Sequence, residues 1–250
     1  IVHVTTQQEC HEEVSMKEEI YAIPLWDAFR KGTECPLCEI QTDIEKKYID
    51  RLLDGSTVMD VDFNKKLKDY TFCENHFNKL YEYPDKLGLA LIVARILSYE
   101  LKDLEKMKKG SQPDSSFARI LFKRDSNENN VRKDKECYLC GQIDKTIAEY
   151  VETLIKLWEN NKEFRNLYES SKGFCLGHFH SVIKQSNRLT KKLAREEFVK
   201  MTFRIQQENM ERLYEELDWF IKKFDYRYVD EPWKTSRDSL YRSIIKLVGN

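Results

Sequence analysis

Six of the seven cysteines in this 250-residue chain fall into two matching sets. Cys35, Cys38, Cys73 and His76 recur as Cys137, Cys140, Cys175 and His178, each pair separated by 102 residues. Neighbours recur at the same offset: Glu34 with Glu136, Leu37 with Leu139, Tyr48 with Tyr150, Leu52 with Leu154, Phe72 with Phe174, and Phe77 with Phe179. Four rare residues at one offset point to an internal duplication of the unit E-C-x-L-C … C-x-x-H-F. A C-x-x-C turn can bend two thiolates onto one metal ion, and Pro36 and Gly141 suit such turns. A C-x-x-H pair at a helix start places a thiolate and an imidazole one turn apart on one face. Taken within each repeat, the set is Cys3His, a closed tetrahedral donor set of the kind that holds structural zinc, so two Zn2+ ions are expected. Three thiolates around a dication leave about one negative charge, to be offset by nearby lysines or backbone N–H groups. The same donors can carry iron–sulfur clusters, which would make the protein an electron carrier, although Cys-plus-His sets at knuckle spacing favour zinc. Plain core cysteines and a disulfide framework are the other readings; no secretion signal supports the latter. Neither C-x-x-C is followed by His, which argues against haem attachment. His180 has Asn78 as its repeat partner and reads as a surface or packing histidine. Cys10, His3 and His11 stand outside the repeat.

The elements that must position these residues read as helices. Only 8 Gly and 5 Pro occur, about 5% of the chain, where ordinary usage gives roughly 12%. Apolar residues at helical spacing follow each C-x-x-C: Ile40, Ile44, Tyr48, Leu52 and Leu53 in one repeat, Ile143, Ile147, Val151, Leu154 and Leu157 in the other. Each C-x-x-H opens a further helix, and a long amphipathic helix comes after it. One has Leu87, Leu91, Ala94, Leu97, Leu101 and Leu104; the other has Phe198, Met201, Ile205, Met210, Leu213, Leu217, Phe220 and Phe224. Such stripes are core or helix–helix seams. The expected fold is all-α: two pseudo-repeated helical units, each organised by a zinc-knuckle-like Cys3His site, with long helices packing between them.

The boundaries follow. Residues 1–15 read as a disordered or upstream segment, since they lack an initiating Met, a basic n-region and an apolar h-region. Residues 16–109 form repeat 1 with the first metal site, and 110–135 a polar linker holding a short apolar helix, Phe117 to Phe122. Residues 136–223 form repeat 2 with the second site. Residues 224–250 form a tail packing on the core, with a helix from Ser236 to Leu247 whose Leu240, Ile244 and Leu247 share a face.

From Met16 onward the chain resembles an uncharacterised family of bacterial proteins, common in anaerobic Gram-positive bacteria and known as a domain of unknown function. The resemblance rests on Met16 to Pro24 (MKEEIYAIP), Glu34 to Cys38 (ECPLC), Lys86 to Leu91 (KLGLAL), Ser171 to Phe179 (SKGFCLGHF), and the tail Lys223 to Arg227 with Pro232-Trp233. It brings no established activity with it.

Function is therefore weighed from the residues. The formal net charge is -1, from 42 Lys+Arg against 43 Asp+Glu. That does not favour a dedicated nucleic-acid binder, although Lys102, Lys106, Lys108 and Lys109, or Lys191, Lys192 and Arg195, could meet phosphates as easily as form solvated faces. The longest apolar run, Leu89 to Ala94, is too short to cross a bilayer. No P-loop, Rossmann fingerprint, nucleophile elbow or H-E-x-x-H is present, so an enzyme is the weaker reading. If one exists, Asp225, Arg227 and Trp233 are its candidate pocket residues, with no catalytic residue assigned. The favoured reading is a cytoplasmic, non-catalytic zinc-binding adaptor with a protein partner and no membrane contact. The alternatives are a redox protein acting through the same cysteines, and an enzyme with a pocket between the repeats.

Overall fold

A computed structural model describes residues 20–110 and 135–249. The expected segment 1–15, its Cys10, His3 and His11, and the Phe117 to Phe122 helix of the linker lie outside the described residues. The regular structure of the described residues is helical except for two strands of two residues each. The described residues divide into two compact units, one holding 20–44 and 144–249, the other 45–110 and 135–143. The divisions fall inside two helices, α2 (Pro36–Leu53) and α7 (Tyr138–Asn160). Each unit therefore draws residues from both sequence repeats, and they are called here the outer and the inner unit.

The inner unit holds the second part of α2, then α3 (Gly55–Met59), α4 (Val61–Lys66), β1 (Tyr70–Thr71), α5 (Glu74–Glu82), α6 (Lys86–Gly110), β2 (Glu136–Cys137) and the start of α7. Short helices need caps to satisfy their first N–H groups. Asp54 accepts from the Ser56 N–H at 3.3 Å, and Asp60 from the Phe63 N–H at 2.6 Å. The core is Leu52, Leu53, Val58, Phe63, Leu67, Phe72, Leu80, Leu89, Ile92 and Ile96. β1 and β2 pair in parallel, Tyr70 beside Glu136 and Thr71 beside Cys137.

The outer unit begins with a helix over residues 20–30, α1. It continues through the start of α2 and most of α7 to α8 (Lys162–Glu169), α9 (Leu176–Gln185), α10 (Lys192–Lys222) and α11 (Ser239–Val248). Its core is aromatic. Trp158 and Phe198 meet edge-on at 4.9 Å, and Phe29 meets Phe164 at 5.2 Å. Tyr168, wholly buried, places its hydroxyl 2.7 Å from Thr202 Oγ1, which satisfies the one polar atom it takes inside.

Two of the expected helix faces turn out differently. In α6, Leu89, Ile92 and Ile96 are buried, whereas Leu87, Leu97, Leu101 and Leu104 are exposed. The helix is apolar on two sides, and its own unit covers only one. In α11, Leu240, Ile244 and Leu247 stay about half exposed, while Ser239 and Lys246 are buried. The polar face of α11 turns inward because it has carboxylate and carbonyl partners there.

Candidate metal centres

The structure brings all eight repeated Cys and His residues into two groups, but not as the sequence grouped them. One group is Cys35, Cys38, Cys175 and His178, in the outer unit; the other is Cys73, His76, Cys137 and Cys140, in the inner unit. The within-repeat grouping is corrected: each C-x-x-C stands with the C-x-x-H of the other repeat. The physical reason in the inner unit is the β1–β2 pairing, which seats Thr71 beside Cys137 and so carries Cys73 to the turn of the other repeat. In each group the four donor atoms lie within 4.8 Å of one another, so each group could hold one metal ion. All six cysteines are free thiols, and no disulfide occurs among the described residues.

In the outer group, His178 Nδ1 lies 3.4 Å from Cys35 Sγ, 3.5 Å from Cys38 Sγ and 3.2 Å from Cys175 Sγ. Cys38 Sγ and Cys175 Sγ are 3.6 Å apart. Cys175 is the N-cap of α9, where its sulfur accepts from the His178 backbone N–H at 3.5 Å. The inner group repeats the pattern. His76 Nδ1 lies 3.1 Å from Cys73 Sγ and 3.3 Å from both Cys137 Sγ and Cys140 Sγ, with Cys73 and Cys140 sulfurs 3.9 Å apart. Cys73 N-caps α5, and Cys137 Sγ accepts from the Cys140 N–H at 3.5 Å.

Crowding three sulfurs and an imidazole sets their proton affinities far apart. Burial, with Cys175 and Cys38 alongside, pushes the Cys35 thiol well up. Hydrogen bonds from Cys35 and Cys38 draw the Cys175 thiol far down. Burial works against the His178 imidazolium, yet Cys175 and Cys38 raise its pKa to about 9. In the inner group, burial and the neighbouring Cys137 lift Cys140 to about 12, while Cys137 is lowered, against its burial, by N–H groups of Cys140 and Cys73. Without a cation each group can ionise only part of its sulfurs. A dication at the centre removes that conflict.

The surroundings differ. All four outer residues are buried, whereas in the inner group only His76 is. His76 Nε2 sits 3.1 Å from Glu45 Oε1, and Glu45 is held in turn by Lys79 at 2.6 Å. A carboxylate on the far imidazole nitrogen fixes ring and tautomer, as at many metal sites. The repeat counterpart of Glu45 is Ile147, so this device belongs to the inner site alone.

Beside the outer group sits a buried carboxylate. Glu34 receives two hydrogen bonds from Arg212 Nη2, at 2.9 and 2.7 Å, and one from Arg242 at 3.4 Å. Glu216 joins them, 2.6 Å from Arg242. Lys246 Nζ donates to the Glu34 carbonyl at 3.0 Å and also to the Lys172 carbonyl. Gln206 clamps the backbone just before Cys175: its Oε1 accepts from the Phe174 N–H at 3.0 Å, and its Nε2 donates to the Phe174 carbonyl at 2.9 Å. This fit needs Gly173, at φ +75°, where a Cβ would come within 2.8 Å of Gln206 Oε1. Glu34, Glu45, Gln206 and Lys246 carry no motif; only the Glu34–Glu136 recurrence marked one of them.

The other sequence candidates lie elsewhere. Asp225 and Arg227 form a surface ion pair at 2.7 Å, and Arg227 holds the Asp225 carboxyl below its ordinary range. Trp233 packs against Phe220 at 5.7 Å. His180 is exposed, with its ring 5.8 Å from that of Phe179.

The fold and these two groups define an all-α protein with two candidate Cys3His metal centres. The chain belongs to the family described as "Family of unknown function (DUF6062)", which matches residues 16–250. Comparison with curated proteins and with solved structures finds no match. No described helix is long and apolar enough to cross a membrane.

Proposed function

We propose that this protein is a non-catalytic helical zinc protein, its two Cys3His sites structural, and that it serves as an interaction or adaptor module for a protein partner. The observation that carries the zinc reading is the spacing of the donor atoms. A tetrahedral zinc ion with bonds of ~2.3 Å to sulfur and ~2.0 Å to nitrogen separates its ligands by about 3.8 Å between sulfurs and about 3.5 Å between sulfur and nitrogen. One sulfur pair in each group stands at 3.6 or 3.9 Å, the sulfur–nitrogen pairs span 3.1 to 3.5 Å, and all donor atoms of a group lie within 4.8 Å of one another. An iron–sulfur cluster inserts several irons and sulfides between its ligands and spreads them wider. Four protein donors leave no open position for a substrate or water, which supports a structural over a catalytic role. Protein is preferred to nucleic acid as the partner because the net charge is -1 and lysines such as Lys106 and Lys192 have acidic neighbours on their own helices.

The partial exposure of Cys73, Cys137 and Cys140 favours one second reading, a redox role in which an oxidant reaches the inner thiolates and displaces the metal. Metal analysis of anaerobically purified protein, with a visible spectrum, separates the two. The structural reading expects two zinc per chain, a colourless protein, and retention of both ions in air. Iron with acid-labile sulfide, or loss of one zinc at low peroxide with full recovery on reduction, would overturn it in favour of the redox reading.

A further inference from the structure

The uncovered face of α6 has a regular spacing. Leu87, Ala90, Ala94, Leu97, Leu101 and Leu104 follow one another at intervals of 3, 4, 3, 4 and 3 residues, the a/d pattern of a coiled-coil seam. All six are exposed, the leucines by 56 to 71%. Leu91, 44% exposed, widens the strip. The buried stripe, Leu89, Ile92 and Ile96, lies on the other side of the helix, so the seam plays no part in packing the inner unit. From Leu87 to Leu104 it runs about 26 Å. A lone chain rarely exposes a continuous apolar strip of this kind.

We propose that this face is a self-association surface, and that its occupant is the same face of a second copy, packed antiparallel. Volume is the first argument. In an antiparallel pair Ala90 stands opposite the partner's Leu101, Ala94 opposite the partner's Leu97, and Leu87 opposite the partner's Leu104. Each central layer then joins a small residue to a large one, as a filled core requires. A parallel pair would stack alanine on alanine in two adjacent layers and leave voids there.

Charge is the second argument. Lys108 continues the seam at the next a position. A parallel pair would press it against the partner's Lys108 and bring Glu100 to the partner's Glu105, both repulsive. Reversing one helix removes both clashes. It sets Lys108 at the end of the partner's strip that the partner's Glu82 and the partner's Asp85 flank, all three exposed. It also opposes the two helix dipoles. Area is the third. Five largely exposed leucines and two alanines supply on the order of 600 Å2 per copy, the lower edge of a standard interface.

Sedimentation equilibrium of the full, metal-loaded chain tests this. The expected species has twice the 29.9 kDa chain mass and dissociates on dilution. Leu97→Glu, and Leu101→Lys as a second variant, should each weaken the dimer at least 100-fold while helical circular dichroism and metal content stay unchanged. Orientation is read by mixing Ala94→Cys with Leu97→Cys protein under mild oxidation, with the wild type as blank. The mixture should cross-link, and each variant alone should not. A monomer at all concentrations, a dimer indifferent to both charge variants, or cross-linking of each single variant with itself would overturn the proposal. A monomer that loses thermal stability on Leu97→Glu would assign the face instead to another segment of this chain.

Discussion

The two units solve the same problem with different parts. In both, the chain just before a C-x-x-H must lie alongside the chain just before the other repeat's C-x-x-C. The inner unit does this with backbone: β1 pairs with β2, Tyr70 beside Glu136 and Thr71 beside Cys137. The repeat counterparts of those strands are Lys172–Gly173 and Glu34–Cys35, and in the outer unit no strand forms between them. A side chain takes over there. Lys246, from α11, donates to the carbonyls of both Glu34 and Lys172, and Gln206 clamps Phe174. A backbone ladder between the two repeats does this in the inner unit, and side chains from helices later in the chain do it in the outer unit. The side-chain arrangement accounts for the buried charge, because a buried lysine that binds carbonyls needs a carboxylate near it.

The difference predicts unequal behaviour. The largest effect is expected for Glu34→Gln, which leaves Arg212, Arg242 and Lys246 without their shared carboxylate. The outer unit should lose about 3 kcal/mol, with Glu216 retaining part of the charge balance. Glu136→Gln at the exposed counterpart should stay within about 0.5 kcal/mol. Equal losses in urea unfolding would break the comparison.

Metal removal should be sequential. A chelator should take the ion from the half-exposed inner group before the buried outer one. Cys73→Ser should delete the fast phase of release and Cys175→Ser the slow one. Glu45→Gln should then weaken metal binding at the inner site by roughly 10–100-fold and leave the outer site alone, since Ile147 occupies the matching place.

A smaller effect concerns pH. Burial holds Lys246 down to about 8 in the folded chain, against an ordinary value of 10.5. Between those values the unfolded state binds more protons, so the stability of the outer unit should rise as pH climbs from about 8. The neutral amine still has N–H groups for both carbonyls. Lys246→Met should abolish the slope while lowering stability at every pH. Apart from the near-neutral Glu136→Gln, the smallest effect is expected for Gly249→Ala. Gly249 sits at φ +85°, and a Cβ there would lie 3.4 Å from Cys38 Sγ. The positive φ sets the cost at about 1 kcal/mol.

The sequence displays what is periodic and hides what is paired. Scarce Gly and Pro and the apolar spacing identify the helices, and the 102-residue offset identifies all eight residues of the two candidate centres. What the offset cannot carry is which C-x-x-H meets which C-x-x-C. Both pairings satisfy the same spacing, and a two-residue strand pair such as Tyr70–Thr71 with Glu136–Cys137 leaves no pattern to read. The apolar stripe of α6 reads as a seam, but periodicity does not say whether the seam is covered. Lys246 escapes notice because it lies among Leu240, Ile244 and Leu247, which suggest a helix buried by its apolar face; the structure buries the lysine.

The exchange of ligands between repeats is tested most directly by counting metal in two double variants. Cys35→Ser with Cys175→Ser should damage one centre and leave one zinc per chain. Cys35→Ser with Cys73→Ser should damage both and leave none. If the first variant holds none and the second holds one, each repeat binds its own ion, and the crossed arrangement is wrong.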